Sequence, residues 1–580
     1  MPKAYLQIED FKGGLDGRRL EVSAPAGSLK VFQNGHINRG GEIEIAKKWV
    51  PKYTLPSGTY GLQTVGGRLR VYGSGTEPGG MPSDIDYQRL QNPDGDSIVG
   101  IVSTEVFKTK PYVAAEFSDG SVYNFYDGVI VDDWYSGLVR ASFVNMNGVA
   151  NALATDISGD PTVSASAAGS VITITGIEDN VTFDVSGTAE NGGSLDDQSI
   201  SIVQTQAAGA SQPQITTVTL GGSFDVGDKF SLTIDDNIYG ASTTTGEQVS
   251  AILTHKDKLY AVSGANIFFS VVADALLWRD NTANGVVNTG SGVIDMSAQS
   301  SKDEDLTALG IYQGTLAVFS RNTISIWSMD ANPGANVQLQ VLENTGTRSP
   351  KTVRSFSDLD LFYLSDSGFR SLRARDSSNA ASVTDVGTPV DDIVLSHMKT
   401  LTEDHITAAT AVIEPVDGRY ICSIDDTEYV FSYFTTSKIS AWSTYTHSFS
   451  ISDYATLNGR VYARSGDTVY LLGGDDNNTY TDEDVIIELP YLDARSIGHW
   501  KSWLGLDVIL KGTWDVYLNT NPNQPDEWVR TSTLYKSSAG QMRLAMQQYS
   551  PVLKMKFVHQ GSEYACLSKI IVHYQSTWAG

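Results

Sequence analysis

The chain has 580 residues and carries 41 Lys plus Arg against 67 Asp plus Glu, so its net charge is −26. This length exceeds what a single hydrophobic core usually supports, and several domains are expected. The acidic balance argues against a dedicated nucleic-acid binder, because neutralising phosphates needs clustered Lys and Arg. Abundant Gly, Tyr, Phe and Trp, without long heptads, favour strands and turns over helices.

The N-terminus and the cysteines indicate where the protein is made and whether it holds a metal. Charges interrupt the first ten positions, where a signal peptide needs an apolar run, and no later run approaches the roughly 20 apolar residues of a membrane span. We therefore expect the chain to be made and to fold in a cytoplasm. Cys422 and Cys566 are far apart and have no metal-ligand spacing around them, which predicts buried thiols and neither a metal nor a cofactor.

A recurring hairpin pattern runs through most of the chain: a turn with Gly, Asp or Asn, a short aromatic-rich strand, a second polar turn and another short strand. Seven copies occur, at residues 65–72, 112–125, 258–269, 313–327, 359–369, 417–431 and 458–472. Most are spaced by roughly 40 to 60 residues, the length of a β-propeller blade. The pattern predicts a mainly β fold with a β-propeller-like core built of repeated short hairpins.

One gap, between the second and third copies, is about three times too long, and removing residues 141–247 restores the blade spacing. This segment is rich in Ser, Thr and Gly, and we expect an inserted small β domain. A helix is predicted over Gly148–Ile157, with Val149, Leu153 and Ile157 repeating every four residues. Strands are predicted over 171–175 and 181–185 and as a pair over 217–220 and 229–234.

In the second half, the segment Pro389–Met398 predicts a helix, because its apolar residues are spaced for one face and two Asp stand at its start. A polar loop, Gly473–Asp484, then ends the hairpin pattern. We expect residues 1–140 to form an N-terminal segment and the first blades, 248–484 the remaining blades, and 485–580 a C-terminal β-sandwich-like domain.

The C-terminal segment contains two alternating strands. Residues 553–557 put Leu553, Met555 and Phe557 on one face and two lysines, Lys554 and Lys556, on the other. The segment Ile570–Tyr574 is predicted to belong to the same sheet.

The chain has no nucleophile elbow, metalloprotease helix, phosphate-binding loop or paired metal motif, which disfavours an enzyme. Propeller enzymes that act on sugars are the alternative, but the Asp-box of sialidases occurs only as fragments, at 365–369 and 465–467. Trp327 and Trp442 are interpreted as core residues.

The densest basic patch comprises Arg370, Arg373 and Arg375. We interpret it in two ways, as a contact to a carboxylate of a neighbouring subunit or as an exposed strand edge protected by charge.

Several segments, in order, resemble the podoviral tail nozzle, also called tail tubular protein B, of short-tailed bacteriophages. Asn34–Trp49 is similar to the opening of the nozzle, in which a Gly-Gly turn precedes a strand ending in basic residues. Leu342–Pro350 followed by Leu361–Phe369 resembles one nozzle blade, and Asp417–Tyr420 through Lys438–Trp442 resembles another. The resemblance covers most of the chain outside the insert, which matches no family motif.

The resemblance implies a structural virion protein: a homo-oligomeric ring, a hexamer by expectation, at the distal end of the tail. Its partners would be the tail adaptor protein, tail fibres or tailspikes, double-stranded DNA in transit and the host cell surface. A ring of this kind closes the DNA channel until ejection and is made in the host bacterial cytoplasm. As channel or gate loop we predict Asp475, Asp476, Asn477 and Asn478. The alternative is a propeller-type glycan-binding or glycan-degrading phage protein, an adhesin or depolymerase.

Overall fold

A computed structural model describes residues 4–92, 95–118, 120–131, 146–158, 160, 162–190, 198–222, 229–235, 237–242, 249–278, 290–297, 304–357, 359–375, 385–535, 537 and 543–576. The predicted insert limits, at 141 and 247, lie outside these residues. Within them, no helix is long and apolar enough to cross a bilayer.

The N-terminal segment consists of short strands that pair with strands from the second half of the chain or with each other. They are β1 (Ala4–Ile8), β2 (Gly14–Leu15), β3 (Ser28–Leu29), β4 (Val31–Gln33), β5 (Gly35–Ile37), β6 (Ile43–Ile45) and β7 (Trp49–Thr54).

Two sheets follow, each built from strands adjacent in sequence. The first contains β8 (Tyr60–Val65), β9 (Arg68–Gly73) and β10 (Ile85–Arg89), and β10 runs parallel to β9. The second is an antiparallel meander of β11 (Ile98–Phe107), β12 (Lys110–Phe117), β13 (Val122–Tyr126) and β14 (Val129–Ile130).

The insert is a small β domain with one helix. Its elements are α1 (Met146–Ile157), β15 (Val163–Ala168), β16 (Val171–Gly176), β17 (Val185–Glu190), β18 (Ser199–Gln206), β19 (Ile215–Gly221), β20 (Lys229–Ile234) and β21 (Asn237–Ser242). One sheet has the order β15-β16-β19-β18 and the other β17-β20-β21. Both sheets and α1 contribute to one hydrophobic core, which contains Val149, Leu153, Ile172 and Phe230.

The predicted helix of the insert is confirmed, but two strand predictions are wrong. The strand predicted over 181–185 begins only at Val185. The segments 217–220 and 229–234 are strands of different sheets and do not pair with each other. Alternation along a strand identifies its buried face, whereas the choice of neighbour depends on the whole domain.

Three further sheets come after the insert. They are formed by β22 (Val249–His255), β23 (Lys258–Ser263), β24 (Asn266–Phe269) and β25 (Gly292–Asp295); by β26 (Leu306–Tyr312), β27 (Thr315–Ser320), β28 (Thr323–Ser328) and β29 (Val337–Glu343); and by β30 (Arg354–Phe356), β31 (Asp360–Ser365) and β32 (Gly368–Ser371). Three short helices follow, α2 (Leu372–Arg375), α3 (Asp391–Met398) and α4 (Glu403–Thr407), and α3 confirms the predicted helix.

The last two sheets of this part contain β33 (Thr410–Ile413), β34 (Tyr420–Ile424), β35 (Thr427–Phe434) and β36 (Ile439–Thr446), and β37 (Asp453–Leu457), β38 (Arg460–Ser465) and β39 (Thr468–Leu472). The outermost strand of the final sheet is β7, which pairs with β39 and brings Trp49 opposite Leu472. A strand from near the N-terminus therefore completes the last blade.

Apart from the two sheets of the insert, the described sheets from β8 to β39 form a propeller-like ring of seven blades. Their first strands, β8, β11, β22, β26, β30, β33 and β37, contact one another in that order, and β37 contacts β8. Each of the seven predicted hairpin copies falls in a different blade. The predicted propeller-like core is thereby confirmed.

The C-terminal strands are β40 (Val485–Glu488), β41 (Lys501–Lys511), β42 (Trp514–Asn519), β43 (Val529–Leu534), β44 (Leu544–Ser550), β45 (Lys554–His559) and β46 (Cys566–Ser576). One sheet has the order β44-β41-β46-β6-β5, with β1 also on β46. The other contains β4-β40-β45-β42-β43 and continues through β36 into the blade β33–β36. Both sheets share one hydrophobic core, as expected for a sandwich-like domain.

One detail of the sandwich differs from the sequence prediction, and the burial of Lys554 adds a second that the sequence did not indicate. Ile570–Tyr574 lies in β46, whereas Met555 and Phe557 lie in β45 of the other sheet, so the prediction of a common sheet is wrong. Lys554 is buried and not on a solvated face: its ammonium lies 2.8 Å from a carboxylate oxygen of Glu21 and 3.2 Å from one of Glu488. The two glutamates compensate the charge that burial would otherwise penalise.

Candidate functional site

Hydroxyl groups at bulges link neighbouring blades around the propeller axis. The register of β22 skips Ser250, and that of β26 skips Thr307. Ser250 Oγ donates to the carbonyl of Leu306 at 2.7 Å, and Thr307 Oγ1 donates to that of Thr347 at 2.6 Å. Each bulge turns a hydroxyl group toward the next blade. Among the described residues, no ladder of backbone hydrogen bonds joins these neighbouring sheets.

The inner strands surround an axial cavity of about 270 Å³. All seven blades contribute to its lining, which includes Leu62, Glu105, Ser250, Leu309, Arg354, Thr410 and Tyr454. The cavity is the point at which side chains from every blade converge, and this makes it the candidate functional site of the propeller.

Two opposite charges in the cavity neutralise each other. Lys351 Nζ lies 2.9 Å from Asp453 Oδ1. Burial alone would raise the pKa of Asp453, but the charge and the hydrogen bond of Lys351 outweigh it, and the pKa lies below its usual value. This pair also fastens the segment before β30 to β37, since the two residues belong to different blades.

A second pair of charged side chains, Glu105 and Arg354, faces the cavity without a direct ion pair between them in the described structure. Burial raises the pKa of Glu105 to about 7, opposed by a hydrogen bond from the Val106 amide. Burial also lowers the pKa of Arg354, whose Nε donates to the Ala411 carbonyl at 2.7 Å. An arginine nonetheless stays protonated in proteins.

Tyr454 adds a hydroxyl near the cavity, but it is already engaged. Its OH donates to Glu428 Oε1 at 2.5 Å, and Trp49 Nε1 donates to Glu428 Oε2 at 3.0 Å. Glu428 is fully buried, so these two bonds stabilise its carboxyl group. The cavity thus offers one arginine, one carboxyl group and the hydroxyl-rich wall between them.

A second site is the junction between propeller and sandwich, where Asn34 occupies the left-handed region at φ 58. Its Oδ1 accepts from the Thr446 amide at 2.9 Å, and its Nδ2 donates to the Asp484 carbonyl at 2.9 Å. The Asn34 amide donates to the Thr444 carbonyl at 2.7 Å. One buried asparagine therefore ties the blade containing β36 to the segment that enters the sandwich.

The predicted gate loop lies between β39, the last propeller strand, and β40 of the sandwich. Lys52 Nζ lies 2.5 Å from Asp475 Oδ1, and Lys47 Nζ donates to Asn477 Oδ1 at 3.0 Å. Asp476 Oδ1 accepts from the Asn478 amide at 3.0 Å. The loop is therefore fastened to the segment around β7, and a gating role stays a prediction.

For Arg370, the predicted exposed strand edge is wrong, whereas a contact of the basic patch to a neighbouring subunit stays a prediction. Arg370 is buried, with Nη1 2.7 Å from Asp391 Oδ1 and Nε 3.5 Å from Asp385 Oδ2. Arg375 Nε lies 2.7 Å from the same Asp385 oxygen. Asp385 and Asp391, ten or more positions further along the chain, thus pair with Arg370 and Arg375, which sequence spacing does not reveal.

The predictions that Trp327 and Trp442 are core residues and that both cysteines are buried thiols are confirmed. Trp327 and Trp442 are buried, and Trp442 stacks on Phe369 and Phe431. Cys422 and Cys566 are buried free thiols. Among the described residues, no group of three or more His, Cys, Asp or Glu side chains is arranged to hold a metal.

Sequence reasoning missed Glu105 and Arg354. Both lie on inner strands, outside the hairpin copies that carried the repeat signal. A charged residue on an alternating strand is usually solvated, so its position in a cavity is decided by blade packing alone.

No family model and no curated protein matches the chain. Solved structures with some similarity include the AfRom2 CNH domain, at 10% identity over 60% of this chain and 91% of that chain, with a TM-score of 0.25. The major allergen Mala s 1 of Malassezia sympodialis follows at 9% identity, 43% and 88% coverage and a TM-score of 0.24. The yeast heterotrimeric Nup82-Nup159-Nup116 nucleoporin complex has 10% identity, 45% and 80% coverage and a TM-score of 0.22. Scores this low carry no functional inference.

Proposed function

We propose that the chain is a structural subunit of a short bacteriophage tail, where copies form the nozzle ring that closes the DNA channel and conducts the genome during ejection. The observation that carries this proposal is the continuity of propeller and sandwich. Phe369 and Trp442 of the propeller belong to the same hydrophobic core as Trp503 and Phe557 of the sandwich. A shared core resists bending between the parts, as a ring under load requires.

The segments that resemble the nozzle family support the proposal by their location. Asn34–Trp49 contains β5 and β6 of the sandwich and reaches the start of β7 in the propeller. Lys438–Trp442 enters β36, the blade strand that pairs with β4 at the junction. The resemblance therefore includes the connection between the two parts as well as the propeller turns.

Charge also suits the proposed role. The chain carries a net charge of −26, and a wall of the same sign as DNA repels the polymer and keeps it hydrated while it passes. The proposed partners are further copies of the chain in a ring, expected to be a hexamer, together with the tail adaptor protein, fibres or tailspikes, and the host surface at the tail tip. The virion is the proposed location.

The test is the copy number of this chain in purified phage particles, measured by quantitative mass spectrometry against the portal protein. A count of about half that of the portal, itself a ring of about twelve in the resembled tails, supports a tail ring. Absence from the particle refutes the nozzle proposal. A count well above that of the portal refutes it too and favours a fibre or surface adhesin.

A glycan-degrading propeller enzyme is the rival, and the presence of Glu105, Arg354 and Tyr454 around one cavity favours it. Glycoside hydrolysis needs two carboxyl groups with separate roles on one bond. Asp453 is paired with Lys351, and the Tyr454 hydroxyl is bound to Glu428, which leaves Glu105 alone. We therefore rank the nozzle first. Release of reducing ends from host polysaccharide by the purified chain, lost in Glu105→Gln, would reverse the order.

A further inference from the structure

The axial cavity holds a positive charge that its own wall compensates only in part. Lys351 and Asp453 cancel each other in a 2.9 Å pair, which leaves Arg354 and Glu105. A carboxylate that served as a full counter-ion to Arg354 would have a lowered pKa. Burial instead raises the pKa of Glu105 to about 7, so this carboxyl group holds its proton to a higher pH than an exposed glutamate does.

Arg354 is oriented as well as charged. Its Nε donates to the Ala411 carbonyl of the next blade at 2.7 Å, which fixes the plane of the guanidinium group. Glu105 and Asp453 attract this guanidinium group, but among the described residues no carboxylate forms a direct ion pair with it. A guanidinium group held in this way presents its remaining N–H groups in the fork that carboxylates fit.

The size and lining of the cavity indicate an organic ligand. Its volume of about 270 Å³ is just below the range of about 300 to 1,000 Å³ typical of small-molecule sites. Apolar side chains, among them Leu62, Ile252 and Val353, line it beside the polar groups. An inorganic ion would leave these apolar surfaces in contact with water, whereas a small organic acid covers them.

We propose that the axial cavity binds a small hydroxy acid, with its carboxylate on Arg354 and a hydroxyl group donating to Glu105. The charged and titratable groups around this ligand are Glu105 on β11, Lys351 and Arg354 before and on β30, and Asp453 and Tyr454 on β37. The site lies inside one chain, so it does not rest on the proposed ring or on any glycan hydrolysis.

Isothermal titration calorimetry with D-glucuronate tests the site, because this probe carries a carboxylate and several hydroxyl groups. Glucose is the matched probe without the charge. We expect saturable binding of glucuronate at least tenfold tighter than that of glucose. Arg354→Gln should weaken glucuronate binding at least tenfold, whereas Arg530→Gln, in an exposed pair with Asp515 on the sandwich, should leave it unchanged.

A proton signature separates ligand binding from a merely structural role. An anion on Arg354 disfavours the charged form of the nearby Glu105, so binding near neutral pH should take up a fraction of a proton. The number of protons taken up is the difference in observed binding enthalpy between two buffers divided by the difference in the ionisation enthalpies of those buffers. Glu105→Gln should abolish it while the chain stays folded, and Arg354→Lys should keep part of the affinity if Arg354→Gln fails to fold.

Three outcomes would overturn the proposal. The first is the absence of saturable heat with glucuronate for the folded wild-type chain, and the second is equal binding of glucose. The third is an unchanged affinity of the Arg354→Gln variant for glucuronate. If that variant does not fold, an unchanged affinity in both single variants, Arg354→Lys and Glu105→Gln, takes its place. None of these results alters the copy number in phage particles, so the nozzle proposal stands or falls separately.

Discussion

Replacing Asn34 by alanine should destabilise the junction of propeller and sandwich by about 2 to 4 kcal/mol. The substitution removes the part-buried hydrogen bonds of the Asn34 side chain to the Thr446 amide and the Asp484 carbonyl, at about 0.5 to 1.5 kcal/mol each. Alanine at φ 58 adds about 1 kcal/mol of backbone strain. Asn34→Gly also lacks the side-chain hydrogen bonds but has no backbone strain, so it should be about 1 kcal/mol more stable than Asn34→Ala.

The loss of stability is measured by urea unfolding followed by tryptophan fluorescence, and the local effect by hydrogen exchange of the Thr446 amide. At 1.4 kcal/mol per tenfold, that amide should exchange about thirtyfold faster or more. Asn458→Ala is the matched control: this exposed asparagine also has a positive φ, at 52°, and should cost only the backbone strain. Equal losses in the Asn34 and Asn458 variants would refute the reasoning.

Three further outcomes are expected. Lys554→Met leaves two glutamates facing a buried site and should cost about 3 kcal/mol in urea unfolding. Lys569→Met is the control, because Lys569 is half-buried and its partner Glu9 is exposed, and it should cost less than about 1 kcal/mol. Burial raises the pKa of the Cys422 and Cys566 thiols to about 12. An aromatic disulfide reagent should therefore label neither thiol in the native chain at neutral pH, and both thiols in guanidinium chloride. Fast labelling of Cys422 in the native chain would contradict its packing. Burial raises the pKa of Glu105 from 4.5 to about 7, so the folded chain retains a proton that the unfolded chain has lost, and stability should fall as pH rises between these values. Glu105→Gln should flatten that part of the stability profile, and an unchanged slope would argue against the burial.

The sequence alone determined the blades. Each of the seven hairpin copies carries its own turn residues and short apolar strands, and each is found in a separate blade. Local turn chemistry suffices here because the two strands of a hairpin are neighbours in sequence. The helices α1 and α3 were predictable for the same reason, since the spacing of apolar residues and the acidic N-terminus of α3 are local signals.

The tertiary structure alone decided which distant segments meet. No local pattern indicates that β7 completes the last blade or that β4 joins β36 to β40, because strand neighbours are selected by packing and not by alternation. The same holds for charges. Lys554, Arg370 and Arg354 are ordinary basic residues in the sequence. Only the fold buries Lys554 and Arg370 beside carboxylates and places Arg354 in the lining of a cavity. Desolvation at these buried positions changes the pKa of a charged group and the strength of its interactions.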